Sequence, residues 1–136
     1  MKVYIIGDSK GIGAELKKLF LQDNYQVIGF NRTKYDIKQD FKKIVDVIEE
    51  NSLIIINAYA SGTQINILKE LIHTNNKIVV MGSIACRYPD PNLPNYSKHK
   101  KELDEYFIDQ AIEKKNSDLL ILNLTGKSYL DSSLIY

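Results

Sequence analysis

Residues 53–56 read Leu-Ile-Ile-Ile, four apolar side chains with no polar break. A strand with one face in water alternates apolar and polar residues. An unbroken run is apolar on both faces, which suits a parallel sheet covered on each side by helices. Similar runs recur at Val3–Ile6, Tyr25–Phe30 (YQVIGF), Lys77–Met81 (KIVVM) and Asp118–Leu124. Between them lie segments with helical periodicity. Gly11 to about Gln22 places Ile12, Leu16, Leu19 and Phe20 on one face. Gln39–Glu50 does the same with Phe41, Ile44, Val45 and Ile48, and Thr63 to about Thr74 reads as a third helix. A fourth runs from Pro94 to about Lys115, with Leu103, Phe107, Ile108, Ala111 and Ile112 facing in. Pro94 suits its first turn, where a missing N–H costs nothing.

Counting Tyr35-Asp36-Ile37 as a tiny strand, the order is β-α-β-β-α-β-α-β-α-β. With right-handed crossovers this predicts an α/β chain: a doubly wound, Rossmann-type parallel sheet of about six strands with helices on both faces. The 136 residues suffice for one domain, 1–136, and 44% hydrophobic with 26% charged content is globular. A formal charge of +1, from 18 basic and 17 acidic residues, gives no electrostatic footprint for nucleic acid. The apolar part of MKVYIIGDSKGIG is too short for a secretion signal, and no run reaches membrane-spanning length. Cys86, the single cysteine, requires no oxidising compartment. The expected location is the cytoplasm, without a membrane partner.

The first strand ends in Gly7-Asp8-Ser9-Lys10-Gly11-Ile12-Gly13. Gly7 lets the chain turn off the strand. Gly11 and Gly13 leave room for a pyrophosphate beneath the free N–H groups of the helix start, with Ser9, Lys10 and Ile12 in the same loop. The competing reading is an ordinary strand-to-helix turn. Asp8 is expected to cap local backbone N–H groups. Enzymes that use NAD usually place a carboxylate after the second strand, for the ribose 2′-hydroxyl. Here the strand ends Phe30-Asn31-Arg32. Arg32 offers a planar fork to a 2′-phosphate, and Lys10 adds charge, which favours NADP(H) over NAD(H). The alternative is that both are solvated surface charges.

In the same order along the chain come Asn57-Ala58 after the LIII strand, Ser83 after the KIVVM strand, and Tyr96-x-x-x-Lys100 on the following helix, with Ser83 13 residues before Tyr96. With the G-x-x-x-G-x-G loop, this set resembles the short-chain dehydrogenase/reductase family over about residues 1–126. The resemblance implies hydride transfer between a small carbonyl compound and its alcohol. It makes Tyr96 the general acid or base, Lys100 the ammonium that favours its phenolate and binds the nicotinamide ribose, and Ser83 the hydrogen-bond partner of the substrate oxygen. It places Asp36 at the adenine and Asn57-Ala58 near the cofactor's ribose. Against this stand plainer readings: Ser83 as a loop cap, Tyr96 as packing, Lys100 as a solvated charge. Lys98, His99 and Lys101 read as exposed helix-face residues, and nothing resembles a metal site, since His73 lies on a different helix from His99.

The chain departs from the family pattern in several ways. It is short, with Arg32 and Asp36 only four apart, and reads as C-terminally truncated. The family's catalytic asparagine has no secure counterpart; Asn66 is the nearest candidate. Tyr59 stands where many members have glycine, and its ring either crowds the nicotinamide side or follows a variant N-A-x-A pattern. Thr125-Gly126 resembles a Pro-Gly step, with Ser128 in reach of the nicotinamide amide. The expected assembly is a homodimer or homotetramer through the helix from Pro94. Two functions compete: an NADP(H)-dependent oxidoreductase, and a non-catalytic NADP(H)-binding or regulatory module. A fragment that folds and does neither is the third reading.

Overall fold

The computed structural model describes residues 1–114 and 119–124. The chain runs β1 (Lys2–Ile6), α1 (Gly11–Gln22), β2 (Gln26–Phe30), α2 (Ile37–Val47), β3 (Leu53–Ile56), α3 (Thr63–Leu71), β4 (Lys77–Ser83), α4 (Pro94–Lys114) and β5 (Leu119–Leu124), with single 3₁₀ turns at Ala60–Gly62 and Ile84–Cys86. The strands form one parallel sheet in the order β2-β1-β3-β4-β5. Its register sets Ile5 beside Ile55, Ile55 beside Val79 and Val79 beside Leu120. β1 and β3 are neighbours, but the chain leaves β1 toward β2 on the opposite side. Their C-terminal ends therefore flank the switch point where an open α/β sheet binds ligands.

Both faces of the central strands are buried, as the unbroken apolar runs require. On one face Tyr4, Ile6, Ile54, Ile56, Ile78 and Val80 pack under α2, α3 and α4, joined by Ile44, Ile67, Leu68, Leu71, Leu103 and Phe107. On the other, Val3, Ile5, Ile55 and Met81 meet Ile12, Leu16 and Phe20 of α1. Full burial of one such side chain contributes ~1.5–3 kcal/mol before entropy is counted.

Three expectations are corrected. The described sheet has five strands rather than six, because Tyr35-Asp36-Ile37 forms no strand. Asp36 instead caps α2, its carboxylate accepting the N–H of Lys38 at 3.1 Å, and this draws Ile37 into the first helical turn. Leu19 is 55% exposed, and Ile108 and Ile112 are 42% and 71% exposed. The buried stripe of α4 is Tyr96, Lys100, Leu103 and Phe107, at i, i+4, i+7 and i+11, which turns Ile108 and Ile112 off the core.

Candidate active site

The glycine loop is built into the sheet rather than laid on it. Gly7 leaves β1 with a φ of +94°, and its N–H donates to the carbonyl of Phe30 at 2.7 Å. Asn57, at the end of β3, donates its side-chain Nδ2 to the carbonyl of Gly7 at 2.9 Å. Gly13 sits where α1 crosses this corner. A Cβ there would lie 1.8 Å from the Gly7 oxygen and 2.8 Å from Asn57 Nδ2, so no side chain fits. The first turn of α1 has no side-chain cap and no acidic residue. Its opening N–H groups are therefore available to an anion, and the positive end of the helix faces the same way.

Asp8 does not cap the loop's backbone. Its carboxylate is 4% exposed and accepts from Lys17 Nζ and from Asn31 Nδ2, each at 2.9 Å. The negative charge is neutralised from behind the loop and ties α1 to the end of β2. A cleft of about 220 Å³ opens beside it, lined by Gly7, Ser9, Arg32, Asp36, Lys38 and Ala58, and closed by Ala60 and Ser61. Of the residues expected to hold a dinucleotide, Gly7, Ser9, Arg32, Asp36 and Ala58 meet here. Lys10 is exposed at the N-cap of α1 and does not line it. The uncapped helix start and the adjoining cleft fit the adenosine and phosphate part of a dinucleotide.

Tyr96 and Lys100 lie one turn apart on the buried face of α4, 8% and 4% exposed. The Lys100 ammonium sits 5.4 Å from the centre of the Tyr96 ring and 5.7 Å from that of Tyr59. It donates to Gln64 Oε1 at 2.6 Å and to the Met81 carbonyl at 2.8 Å. Burial pushes Lys100 down to about 7, with Cys86 pulling weakly the other way. The two carbonyl acceptors favour the charged form and also oppose that push. Ser83 is fully buried at the end of β4, and its Oγ accepts the N–H of Ala85 at 3.1 Å, capping the 3₁₀ turn. Ala85 packs against Tyr96 and Tyr59, so the serine turn and the tyrosine–lysine pair are brought together.

Sequence reasoning missed two groups. Gln64, on α3, is 2% exposed; its Nε2 donates to the carbonyls of Ile56 at 3.2 Å and Met81 at 3.0 Å, which fixes its Oε1 on Lys100. Asn66, the candidate from sequence, is exposed. No local pattern marks a pairing 36 residues apart. His99 is not a surface residue. It is half-buried and bonded to the Tyr59 hydroxyl through Nδ1 at 2.5 Å. The signal was available, since i+3 shares the helix face that i+4 identifies. Lys98 and Lys101 are exposed as expected. Thr125, Gly126 and Ser128 lie outside the described residues.

No protein-family model and no curated protein matches the chain. Solved structures do. A short-chain dehydrogenase/reductase from Vibrio parahaemolyticus superposes with a TM-score of 0.69 at 17% identity, over 89% of this chain and 82% of its own. The fold is that of the short-chain dehydrogenases/reductases. A 3-alpha-hydroxysteroid dehydrogenase from a Pseudomonas species, complexed with NADH, shares this fold at TM-score 0.68 and 16% identity, over 98% of this chain and 78% of that one. A 3-oxoacyl (acyl-carrier-protein) reductase from Agrobacterium tumefaciens, with NADP bound, does so at 0.62 and 14%, over 88% and 67%. In this short-chain dehydrogenase/reductase fold the glycine loop, Asn57, Ser83 and the start of α4 all sit at the C-terminal edge of the sheet.

Proposed function

We propose that the chain is an NADP(H)-dependent oxidoreductase that interconverts a small carbonyl compound and its alcohol. The observation that carries this reading is the stacking of Tyr96 and Lys100 on the buried face of α4, against the Ser83 turn. When bound, the nicotinamide dinucleotide supplies or accepts the hydride. Tyr96 gives a proton to the carbonyl oxygen, or removes it from the alcohol. Lys100 favours the phenolate by its charge, and its depressed pKa leaves it able to change charge near neutrality. Ser83 orients the substrate oxygen. The open N–H groups at Gly11, Ile12 and Gly13 hold the pyrophosphate, with Asn57 and Ala58 fixing the loop behind it. Arg32 and Lys38 both line the cleft, which supports a preference for a 2′-phosphate, and Asp36 in the same lining would meet the adenine.

Following NADPH oxidation against a panel of aldehydes, ketones and quinones tests this. Tyr96→Phe is expected to lose turnover by ~10²–10⁴-fold and to keep nucleotide binding. Full turnover in that variant would overturn the assignment.

A second reading, a module that binds NADP(H) without turnover, is favoured by one observation. Ser83 has no exposed surface and the Tyr59 ring packs over Tyr96. Binding with no turnover across the panel would select it. For assembly we propose a homodimer or homotetramer through α4, whose Ile108 and Ile112 are exposed; a monomer in light scattering would exclude it. No helix among the described residues is long and apolar enough to cross a membrane.

A further inference from the structure

The Tyr59 ring packs directly against Tyr96. The two rings meet edge-to-face, with centroids 4.9 Å apart and planes at 69°. Ser83, Tyr59, Tyr96 and Lys100 are then 0%, 7%, 8% and 4% exposed, so the pair on α4 has almost no open surface. The ammonium of Lys100, expected to meet a ribose, is turned to Gln64 and Met81.

His99 holds this arrangement at two points. Its Nδ1 is hydrogen-bonded to the Tyr59 hydroxyl at 2.5 Å, and its ring lies 5.6 Å from the Tyr59 ring. The same imidazole is packed against Gly62, where an added Cβ would lie 2.8 Å from His99 Cγ. The chain from Tyr59 to α3 passes through three successive left-handed residues, Ala60, Ser61 and Gly62, with φ of 42°, 54° and 85°. Glycine tolerates that region; alanine and serine are strained in it. A strained run follows a ring that is hydrogen-bonded to His99.

We propose that Tyr59, latched by His99, is an access-determining residue: its ring must leave the Tyr96 face before a nicotinamide or a carbonyl substrate can reach Tyr96 and Lys100, and the Ala60–Gly62 run is the hinge. This rests on the dinucleotide reading for its ligand, but the latch itself is read without one. The seal on Lys100 is removed when the hydroxyl of Tyr59 or its partner is removed.

The test compares wild type with Tyr59→Phe, His99→Ala and His99→Asn, each checked for native circular dichroism. Amine acetylation of the intact protein is followed by mass spectrometry at Lys100, with exposed Lys98 and Lys101 as internal references. NADPH binding is measured by the nucleotide's own fluorescence. Tyr59→Phe and His99→Ala are expected to acetylate Lys100 at least fivefold faster, with unchanged reference lysines, and to bind NADPH several-fold more tightly. His99→Asn, whose amide can donate or accept, is expected to slow Lys100 labelling again. Unchanged Lys100 labelling in both Tyr59→Phe and His99→Ala would overturn the latch. Faster labelling without NADPH binding in any variant would uphold the latch and overturn the dinucleotide reading.

Discussion

Gln64 Oε1 accepts the Lys100 ammonium at 2.6 Å, across 36 residues of sequence and with both groups buried. The amide cannot flip away, because its nitrogen is already shared between the carbonyls of Ile56 and Met81. The position of the charge beside Tyr96 is thus set by a neutral side chain on another helix.

Replacing Gln64 by leucine leaves the buried ammonium with one fewer acceptor and two carbonyls with one fewer donor. A loss of about 1–3 kcal/mol in unfolding free energy is expected by denaturant titration. Gln64→Glu places a carboxylate against the ammonium and moves the Lys100 titration upward. Its labelling profile against pH should shift in that direction; an unshifted profile would show that Gln64 does not set the lysine's environment.

Lys100 ties stability to pH. Its pKa is about 7 in the fold against 10.5 for the unfolded side chain. Between these values the unfolded chain binds more protons, so stability rises with pH through that window. Below 7 the full burial cost stands, and above 10.5 it is gone. Relative to Lys100→Met, wild type should therefore gain on the order of 4 kcal/mol between pH 7 and 10.5. Melting curves of the two proteins that run parallel over this range would contradict the burial of the charge.

Gly13→Ala puts a methyl group 1.8 Å from the Gly7 carbonyl oxygen, which is backbone and cannot step aside. A destabilisation of about 1–3 kcal/mol is expected, together with loss of nucleotide binding. A variant with native stability and native NADPH affinity would mean that α1 does not pack on the loop this closely.

Arg32→Ala tests the cofactor preference. Arg32 lines the cleft with Lys38 and Asp36. NADPH affinity is expected to fall roughly tenfold, as for the loss of one charged hydrogen-bond partner, with NADH affinity unchanged. An equal fall for both nucleotides would remove the 2′-phosphate from the argument.

The strands and α1 were legible because their apolar runs and periodicity are local properties: α1 and β3 have the limits expected from Gly11–Gln22 and Leu53–Ile56. The short strand at Tyr35 was misread because an apolar–polar–apolar triplet does not reveal that Asp36 will cap the next helix. Tyr96 and Lys100 were legible as a pair, since their spacing is fixed by one helix. Gln64 was not, because its partners come from β3, β4 and α4 and only the folded sheet brings them together. His99 was misplaced for a related reason. A charged-looking helix start, Lys98-His99-Lys100-Lys101, hides that its middle two residues point inward and its outer two point to water.

The bond from Asn57 to the Gly7 carbonyl also has a kinetic side, for it spans 50 residues. The glycine loop cannot take its final shape until β3 has docked beside β1, after the chain has closed a long loop and absorbed its entropy. Assembly of the glycine-loop corner is therefore expected to be a late event that coincides with completion of the central sheet. During refolding, nucleotide capture should lag early helix formation and rise together with burial of the β1–β3 core.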